Sequence, residues 1–250
     1  MFQKQEAAGR KISHSGFTLV ELLVVISIIS MLMSILLPSL GRARELGKRV
    51  DCFSNMRQLT LALNFYAMDN EDKLCSPGTY WNDPGYNWVA DGPAWPGNDI
   101  GNSEQAIEDG VLWSYTEETL GLYKCKSDRS DFLRSYSCAI SGNLDVSRPS
   151  ARMVFVDASS SWKWIHGSYF PIRYCDESWE WWPWGDPKHR QQITARHNGG
   201  CNISFADFHC EWWRWKDLRT VKFANREISA AEASDINPDI VRLLGLLLGR

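Results

Sequence analysis

The sequence SGFTLVELLVVISIISMLMSILLPSL, from Ser15 to Leu40, contains a long apolar segment with one charge inside it. Glu21 is the only charged residue between Phe17 and Leu37. A helix over residues 17–37 would be about 30 Å long at ~1.5 Å per residue, which is the hydrocarbon thickness of a bilayer. A carboxylate in such a segment costs roughly 2.5 kcal/mol or more. We therefore predict a membrane-spanning helix in which Glu21 has a specific role.

The overall composition excludes some classes of function. The chain has 250 residues, 44% of them hydrophobic, and a formal net charge of −3. No basic patch with interleaved aromatic residues occurs, and neither a zinc-finger nor a helix-turn-helix spacing is visible. No Gly-x-Ser-x-Gly elbow or glycine-rich phosphate loop is present either. We therefore predict no nucleic-acid partner and no enzymatic activity.

The six residues GFTLVE, at positions 16–21, follow a short polar leader that contains Arg10 and Lys11. This arrangement closely resembles the processing motif of type IV pilins and type II secretion pseudopilins. In that family, prepilin peptidase cuts after the glycine on the cytoplasmic side of the membrane and methylates the new amino terminus. The resemblance implies cleavage between Gly16 and Phe17, with Phe17 as the methylated first residue.

The same resemblance implies roles for two residues of the apolar segment. Glu21 becomes the fifth residue of the mature chain, where the family keeps a glutamate that is thought to meet the amino terminus of a neighbouring subunit during assembly. A buried carboxylate is costly alone but tolerable when it is paired, so this contact would set the register between subunits. Pro38 becomes the twenty-second residue, where the family often has a proline that loosens the helix.

A secretory signal peptide is the alternative interpretation of the apolar segment. Its apolar core usually has about 7–15 residues before a small-x-small cleavage site. The segment here is longer, although GRA at 41–43 resembles a weak site of that kind. Flanking charge also conflicts with the resemblance, because slightly more basic residues follow the segment than precede it.

The resemblance implies a single-pass protein of the bacterial inner membrane, with its leader in the cytoplasm and its head in the periplasm.

Apolar residues continue the helix beyond the membrane segment, because they recur at steps of three and four residues. They are Leu46, Val50, Phe53, Met56, Leu59, Leu63 and Tyr66. This stripe predicts a helix that ends around residues 67–70 and packs on a globular head. The best strand candidates are SYSCAIS (135–141), RMVFVDAS (152–159) and NISFADFHCEWWRW (202–215). The predicted fold is therefore α+β and pilin-like, with a long N-terminal helix and a small antiparallel sheet.

We predict four parts along the chain: a cleaved leader (1–16), the helix (17–70), the head (71–226) and a helical tail (227–250). Residues 76–110 are rich in Gly, Pro, Asn, Asp and Trp and are predicted to form long ordered loops. In the tail, Asn237 can cap a helix whose first residue is Pro238. Apolar residues nearly encircle this last helix, so it is predicted to be buried against the head or a neighbouring subunit.

The segment RHNGGCNISFADFH, at 196–209, carries a second resemblance. Many pilin-like proteins of one large bacterial group share a histidine followed, after nine residues, by Asp-Gly, and here His197 and Asp207 have that spacing. Phe208 stands where the family has glycine, and a positive φ there would strain it by about 1 kcal/mol or more. A structural hydrogen bond between His197 and Asp207 is the favoured prediction. The alternative is a metal site formed by His197, His209, Asp207 and Asp157.

No cofactor is expected, but two further possibilities remain open. The acidic run DNED at 69–72 could be a calcium loop, although a solvated helix end is favoured. The sequence has seven cysteines, which could form disulfides in the periplasm. They are Cys52, Cys75, Cys125, Cys138, Cys175, Cys201 and Cys210. The segment YKCKSD around Cys125 resembles a CPSD element common in these pilin-like proteins, with Lys126 in place of proline.

The segment ESWEWWPWGDP, at 177–187, contains four of the 13 tryptophans. Trp179, Trp181, Trp182 and Trp184 could form a platform that stacks on sugars, or they could fill a small core.

The sequence therefore supports two functions. The preferred one is a structural subunit of a type II secretion pseudopilus or type IV pilus-like filament, with prepilin peptidase, other subunits, the inner-membrane assembly platform and the membrane as its partners. The alternative is a membrane-anchored carbohydrate-binding module.

Overall fold

The computed structural model of the chain describes most of the long helix and the sheet, and part of the connecting segments. The described residues are 17–77, 87–90, 103–139, 148–160, 172–175, 178–181, 191–225, 227–228, 233–234 and 236–247. Side chains between 159 and 192 lie outside this description. The chain divides into two compact units, one that ends at Arg44 and one that begins at Glu45.

The first helix, α1, runs from Leu19 to Asp69 as one continuous element of 51 residues with Pro38 inside it. Pro38 has no N–H, so the carbonyl of Ser34 receives no helical hydrogen bond there. After Asn70, Glu71 and Asp72 have φ values of +58° and +60°, which end the helix. The predicted extent of the helix is therefore confirmed.

The part of α1 from Glu45 onward buries one face against the rest of the second unit. Its buried residues recur at steps of three and four, and they include Cys52, Met56, Leu59, Leu63 and Tyr66. The predicted stripe is correct from Met56 onward and Phe53 is half-buried, but the prediction is wrong at Leu46 and Val50, which are 50% and 56% exposed. Cys52, four residues before Met56, occupies the buried face instead.

Five strands form the main sheet of the second unit. They are β1 (Tyr136–Cys138), β2 (Met153–Ser160), β5 (Gln191–Ile193), β6 (Gly200–Phe205) and β7 (Cys210–Arg214). The order is β1-β2-β6-β7, and β5 pairs with the end of β2. All of these pairs are antiparallel. The predicted α+β class, with a long helix and a small antiparallel sheet, is confirmed.

The sheet separates two apolar clusters. Phe155 of β2 joins the cluster that contains the buried face of α1, whereas Val156 and Ala158 join the cluster on the other side. The second cluster includes residues of α3 (Leu218–Ala224) and α4 (Pro238–Leu247). Successive strand residues point to opposite faces, so Asp157, like Phe155, points towards α1.

Several short elements were not predicted from the sequence. Strands β3 (Ile172–Cys175) and β4 (Ser178–Trp181) form a separate antiparallel hairpin, and β5 extends the main sheet. A short helix, α2 (Glu104–Glu108), lies in the segment that was predicted to be loops. Ser103 caps α2 by accepting a hydrogen bond from the Ala106 N–H at 3.0 Å.

Helix α4 begins as predicted. The side-chain oxygen of Asn237 accepts a hydrogen bond from the Asp239 N–H at 2.9 Å, so Asn237 is the N-cap. Burial against the head is confirmed for one face only, because Ile240 and Leu243 are buried while Val241 is 69% exposed. Burial of the rest against a neighbour stays a prediction. A single face packs on the head, as is usual for a surface helix.

The hairpin between β6 and β7 keeps a tight turn despite its phenylalanine. Phe208 has a φ of +70°, as the missing glycine predicts. Its N–H donates to the Phe205 carbonyl at 2.9 Å, and the Phe205 N–H donates to the His209 carbonyl at 3.0 Å. Three residues therefore form the loop, with the left-handed residue last, a common form of three-residue hairpin.

Candidate functional site

Four polar side chains meet between α1 and the sheet, and they form what we call the buried Cys–Asp–His group: Cys52, Cys125, Asp157 and His197. One ligand-type atom from each lies within 4.8 Å of all the others. Nε2 of His197 is 3.2 Å from Oδ2 of Asp157 and 3.4 Å from Sγ of Cys125. Sγ of Cys52 is 3.5 Å from Oδ1 of Asp157. Each of the four residues is at most 1% exposed.

The local structure of each segment places its side chain in this group. Cys52 is the first fully buried residue of α1, and Asp157 lies on the face of β2 that packs on α1. Cys125 follows a 3₁₀ helix at Leu120–Tyr123. The turn before β6 presents His197, whose carbonyl accepts a hydrogen bond from the Trp212 indole at 2.8 Å.

Glycine is required in that turn. Gly199 has a φ of +79°, which disfavours other residues. A Cβ atom on Gly200 would overlap the backbone oxygen of Trp213 in the neighbouring strand. The pair Gly199-Gly200 therefore allows the chain to turn tightly and enter β6 directly after His197.

A second set of polar groups surrounds the first. Nδ1 of His197 lies 3.1 Å from Oε1 of Glu45, and the Ser127 hydroxyl donates to the same oxygen at 2.7 Å. The Ser127 N–H donates to Sγ of Cys125 at 3.4 Å. The Tyr136 hydroxyl lies 3.0 Å from Sγ of Cys52. Both ring nitrogens of His197 and both sulfur atoms therefore have defined neighbours.

Asp157 is held by two further groups. The Asn202 N–H donates to Oδ2 of Asp157 at 3.1 Å. The Arg196 guanidinium lies 3.7 Å from Oδ1 of Asp157 and 3.5 Å from Oδ2 of Asp128. Arg196 also donates to the Ala158 carbonyl. A cation that is itself largely buried thus faces the carboxylate of the group.

The proximity of these groups shifts their pKa values in opposite directions. Hydrogen bonds from Cys52 and then from His197 lower the pKa of Cys125, although burial opposes that shift. Burial alone would lower the pKa of His197, but the hydrogen bonds to Asp157 and Cys125 outweigh it and raise that pKa. Burial is the main cause of the raised pKa of Cys52. These contacts therefore favour deprotonation of Cys125 and protonation of His197.

Burial excludes the obvious catalytic use of such a pair. A Cys–His pair with a carboxylate on the second ring nitrogen resembles an activated nucleophile. Such a nucleophile must reach its substrate, and Cys125 and His197 are 0% and 1% exposed. The arrangement suits the binding of an ion between the side chains better than attack on a substrate. All six cysteines whose side chains are described are free thiols.

The structure pairs the predicted histidines and aspartates differently from our expectation. His197 bonds to Asp157, whereas Asp207 forms an ion pair with Nδ1 of His209, so the predicted His197–Asp207 bond is wrong. The His209 ring stacks on Phe205 with their centroids 4.2 Å apart. Of the four residues in the predicted metal site, His197 and Asp157 come together and the other two lie at the hairpin.

Sequence reasoning missed Cys52 and Glu45 as members of this site. Both Cys52 and Cys125 were considered only as possible disulfide partners, and the segment around Cys125 also for its resemblance to CPSD. The cysteines offered little signal, because metal sites are read from short spacings such as Cys-x-x-Cys, and here the residues come from four distant segments. A buried cysteine on the sheet-facing side of α1 was the available signal for Cys52.

Two other predicted sites gain no support from the described residues. At the end of α1, Asp69 accepts a hydrogen bond from the Tyr115 hydroxyl at 3.0 Å, and Glu71 pairs with Lys73 at 2.8 Å. Trp179 and Trp181 lie in β4, but their side chains are outside the described part of the chain. Trp182 and Trp184 lie outside it entirely, so the sugar platform stays a prediction.

At the start of α1, Thr18 and Glu21 cap the helix reciprocally. The Glu21 carboxylate accepts hydrogen bonds from the Thr18 N–H at 2.8 Å and from its hydroxyl at 2.7 Å. The Glu21 N–H in turn donates to the Thr18 hydroxyl oxygen at 3.2 Å. This is a capping box, which satisfies two N–H groups at the helix start. Gly16 lies outside the described residues, and Phe17 is 76% exposed.

The apolar segment after this cap leaves its side chains without partners inside the first unit. All residues from 17 to 44 are exposed. The hydroxyls of Ser27, Ser30 and Ser34 each donate to a carbonyl three or four residues earlier in the helix. Their polarity is therefore satisfied locally, as a lipid environment requires. In the described part of the chain, α1 is the helix whose length and composition suffice to cross a membrane.

Residues 12–37 match the family model of the prokaryotic N-terminal methylation motif. The matched range includes Gly16, Phe17 and Glu21. Neither the curated proteins nor the solved structures give a match to this chain.

This motif supports a pilin- or pseudopilin-type substrate of prepilin peptidase. It implies assembly with other pilin subunits, and its family consists of structural subunits rather than enzymes. Together with the apolar helix, it indicates a protein anchored in a membrane.

Proposed function

We propose that this chain is a structural subunit of a type II secretion pseudopilus or type IV pilus-like filament. The observation that carries the proposal is the methylation motif at the start of α1, where the apolar segment is fully exposed and contains one carboxylate. The precursor would cross the bacterial inner membrane once, with its leader in the cytoplasm and its head in the periplasm. Prepilin peptidase would then cut between Gly16 and Phe17.

The surface of α1 in the second unit supports packing between subunits. Leu46, Val50, Phe65 and Met68 are 50–64% exposed. At 3.6 residues per turn, they fall on the side of α1 opposite to the buried face that contains Met56 and Leu63. These residues give α1 an exposed apolar surface on a second side, where Ser54, Arg57 and Gln58 are exposed as well. Neighbouring helices in a filament would cover it through a repeated, open-ended contact.

The carboxylate of Glu21 would fix the register of that contact. In the precursor it accepts hydrogen bonds from Thr18. After cleavage, the nearest new cation is the α-amino group of Phe17, and the amino terminus of an adjacent subunit provides another. A charge in an apolar environment is stabilised most by a paired opposite charge. Subunits would therefore stagger until each Glu21 meets such an amino group.

The processing step can be tested directly. The full chain is co-expressed with a prepilin peptidase, and its amino-terminal peptide is identified by mass spectrometry. We expect the chain to begin at N-methylated Phe17, and Gly16→Ala to leave the full-length precursor. Gly9→Ala, which changes the other leader glycine, is the matched control and should be processed normally. A wild-type chain that starts after residue 43, or one that keeps its leader, would contradict the proposal.

A further inference from the structure

We propose that the buried Cys–Asp–His group is a structural zinc site, with Cys52, Cys125, Asp157 and His197 as its four ligands. The inference is independent of the proposed filament function. It concerns what holds α1 to the sheet, whichever machine the chain serves.

The distances within the group fit tetrahedral coordination. Zinc bonds of about 2.0–2.3 Å place neighbouring ligand atoms about 3.3–3.8 Å apart. Nε2 of His197 lies 3.4 Å from Sγ of Cys125 and 3.2 Å from Oδ2 of Asp157, and Sγ of Cys52 lies 3.5 Å from the other carboxylate oxygen, Oδ1. The largest separation in the group is within 4.8 Å, so small side-chain rotations suffice to place all four around one ion.

The types of ligand select the metal. Calcium and magnesium prefer sites made entirely of oxygen atoms, whereas two thiolates, an imidazole and a carboxylate suit zinc. Four protein ligands also leave no open position for a water or a substrate. Such a closed site is typical of structural zinc, and the burial of all four residues agrees with that role.

The surroundings orient and neutralise the ligands. Histidine ligands of zinc usually donate their second ring N–H to a carboxylate, and Glu45 lies 3.1 Å from Nδ1 of His197 in that position. The Ser127 N–H supports the Cys125 sulfur. Two thiolates and one carboxylate carry three negative charges, which are balanced by Zn²⁺ and by the Arg196 guanidinium 3.7 Å from Asp157.

The site would join four segments that are distant in the sequence. Cys52 belongs to α1, Cys125 to a loop, Asp157 to β2 and His197 to the turn before β6. A metal ion bound by all four would cross-link the helix to the sheet. Because such a site does not exist in the unfolded chain, the free energy of zinc binding becomes free energy of folding.

The first experiment measures metal in the full chain, purified in detergent with a reductant and without chelators. We expect about one zinc ion per chain by elemental analysis. Cys52→Ser and Cys125→Ser should lose it. Cys75→Ala, which removes another fully buried thiol from the same apolar cluster, is the matched control and should keep it. Equal zinc in all forms would overturn the proposal.

A second experiment begins with the wild-type chain, whose cobalt spectrum does not depend on whether a variant folds. Co²⁺ replaces the zinc, and we expect the absorption bands of thiolate-to-cobalt charge transfer and of a tetrahedral ion. Glu45→Gln should keep the metal but bind it about 10–100-fold more weakly in competition with a chromophoric chelator. A wild-type chain that takes up neither metal, or that contains a Cys52–Cys125 disulfide when purified without a reductant, would refute the zinc site.

Discussion

Glu21 has one observed role and one proposed role in this chain, and three substitutions separate them. It caps α1 together with Thr18, and we propose that it also pairs with an amino terminus during assembly. Thr18→Ala removes the capping hydroxyl and keeps the charge. Glu21→Gln keeps an oxygen that can accept the capping bonds and loses the charge. Glu21→Val loses both.

The free energies that these substitutions are expected to remove differ enough to be measured. Loss of an N-cap costs about 1 kcal/mol, which corresponds to roughly a fivefold change in an equilibrium constant. Loss of one partner of a buried ion pair costs about 3–5 kcal/mol, or a factor of roughly 100 to 4,000. We therefore expect Thr18→Ala to assemble nearly normally, Glu21→Gln to assemble poorly and Glu21→Val to fail.

The assay follows processing, membrane residence and cross-linked oligomers of the four forms in one strain. All four should be cleaved, because the scissile peptide follows Gly16, and Glu21→Val should remain well inserted since it removes a charge from the apolar segment. If Thr18→Ala loses as many oligomers as Glu21→Val, then capping explains the glutamate. Normal oligomers from Glu21→Val would refute both explanations.

The other predictions concern the stability of the head, measured by chemical denaturation of the full chain with tryptophan fluorescence. Phe208→Gly should be more stable than Phe208→Ala by about 0.5–1 kcal/mol, because the φ of +70° at this position favours glycine over alanine. The opposite order of stability would contradict backbone strain at Phe208. His197→Ala should lower the free energy of unfolding more than Asp207→Ala, because His197 is buried and Asp207 belongs to an exposed ion pair. The two losses should add in the double variant, and a coupling above about 0.5 kcal/mol would show that the two residues interact after all. Asn237→Ala should cost about 1–2 kcal/mol as a lost cap, whereas no loss would mean that Pro238 alone defines the start of α4.

The features of this chain that could be predicted are those encoded by neighbouring residues. The motif at 16–21 is contiguous, and the extent of α1 follows from a periodicity that spans many turns. Which side of α1 is buried was harder to predict, because apolar residues occur on two sides of the helix. Leu46 and Val50 are as hydrophobic as Met56 and Leu59, so the pattern alone could not show which residues pack on the sheet.

The buried Cys–Asp–His group could not be predicted as a unit, because its members meet through tertiary structure. Asp157 is directed to α1 by the alternation of β2, and this depends on which face of the sheet the helix covers. His197 was correctly singled out, but its spacing to Asp207 suggested a partner within the same hairpin. The actual partners come from α1, a loop and a neighbouring strand, at sequence separations of at least 40 residues.

The two faces of α1 in the second unit place different demands on the chain. A face that packs on neighbouring subunits has its apolar residues exposed in the monomer. Contacts with those subunits would compete with the contacts that hold the helix to its own head. The buried face must then hold the head firmly. Apolar packing of Met56, Leu59 and Leu63 supplies part of that attachment. The proposed zinc site would strengthen this attachment at Cys52, where the buried face begins. Metal–ligand bonds resist separation of the helix from the sheet, whereas an apolar contact can slide.

Chelation of the zinc should therefore loosen residues 45–59 of α1 from the head first, and hydrogen exchange should rise there before it rises elsewhere. Hydrogen exchange that rises equally along the helix and the sheet would argue against such a local attachment.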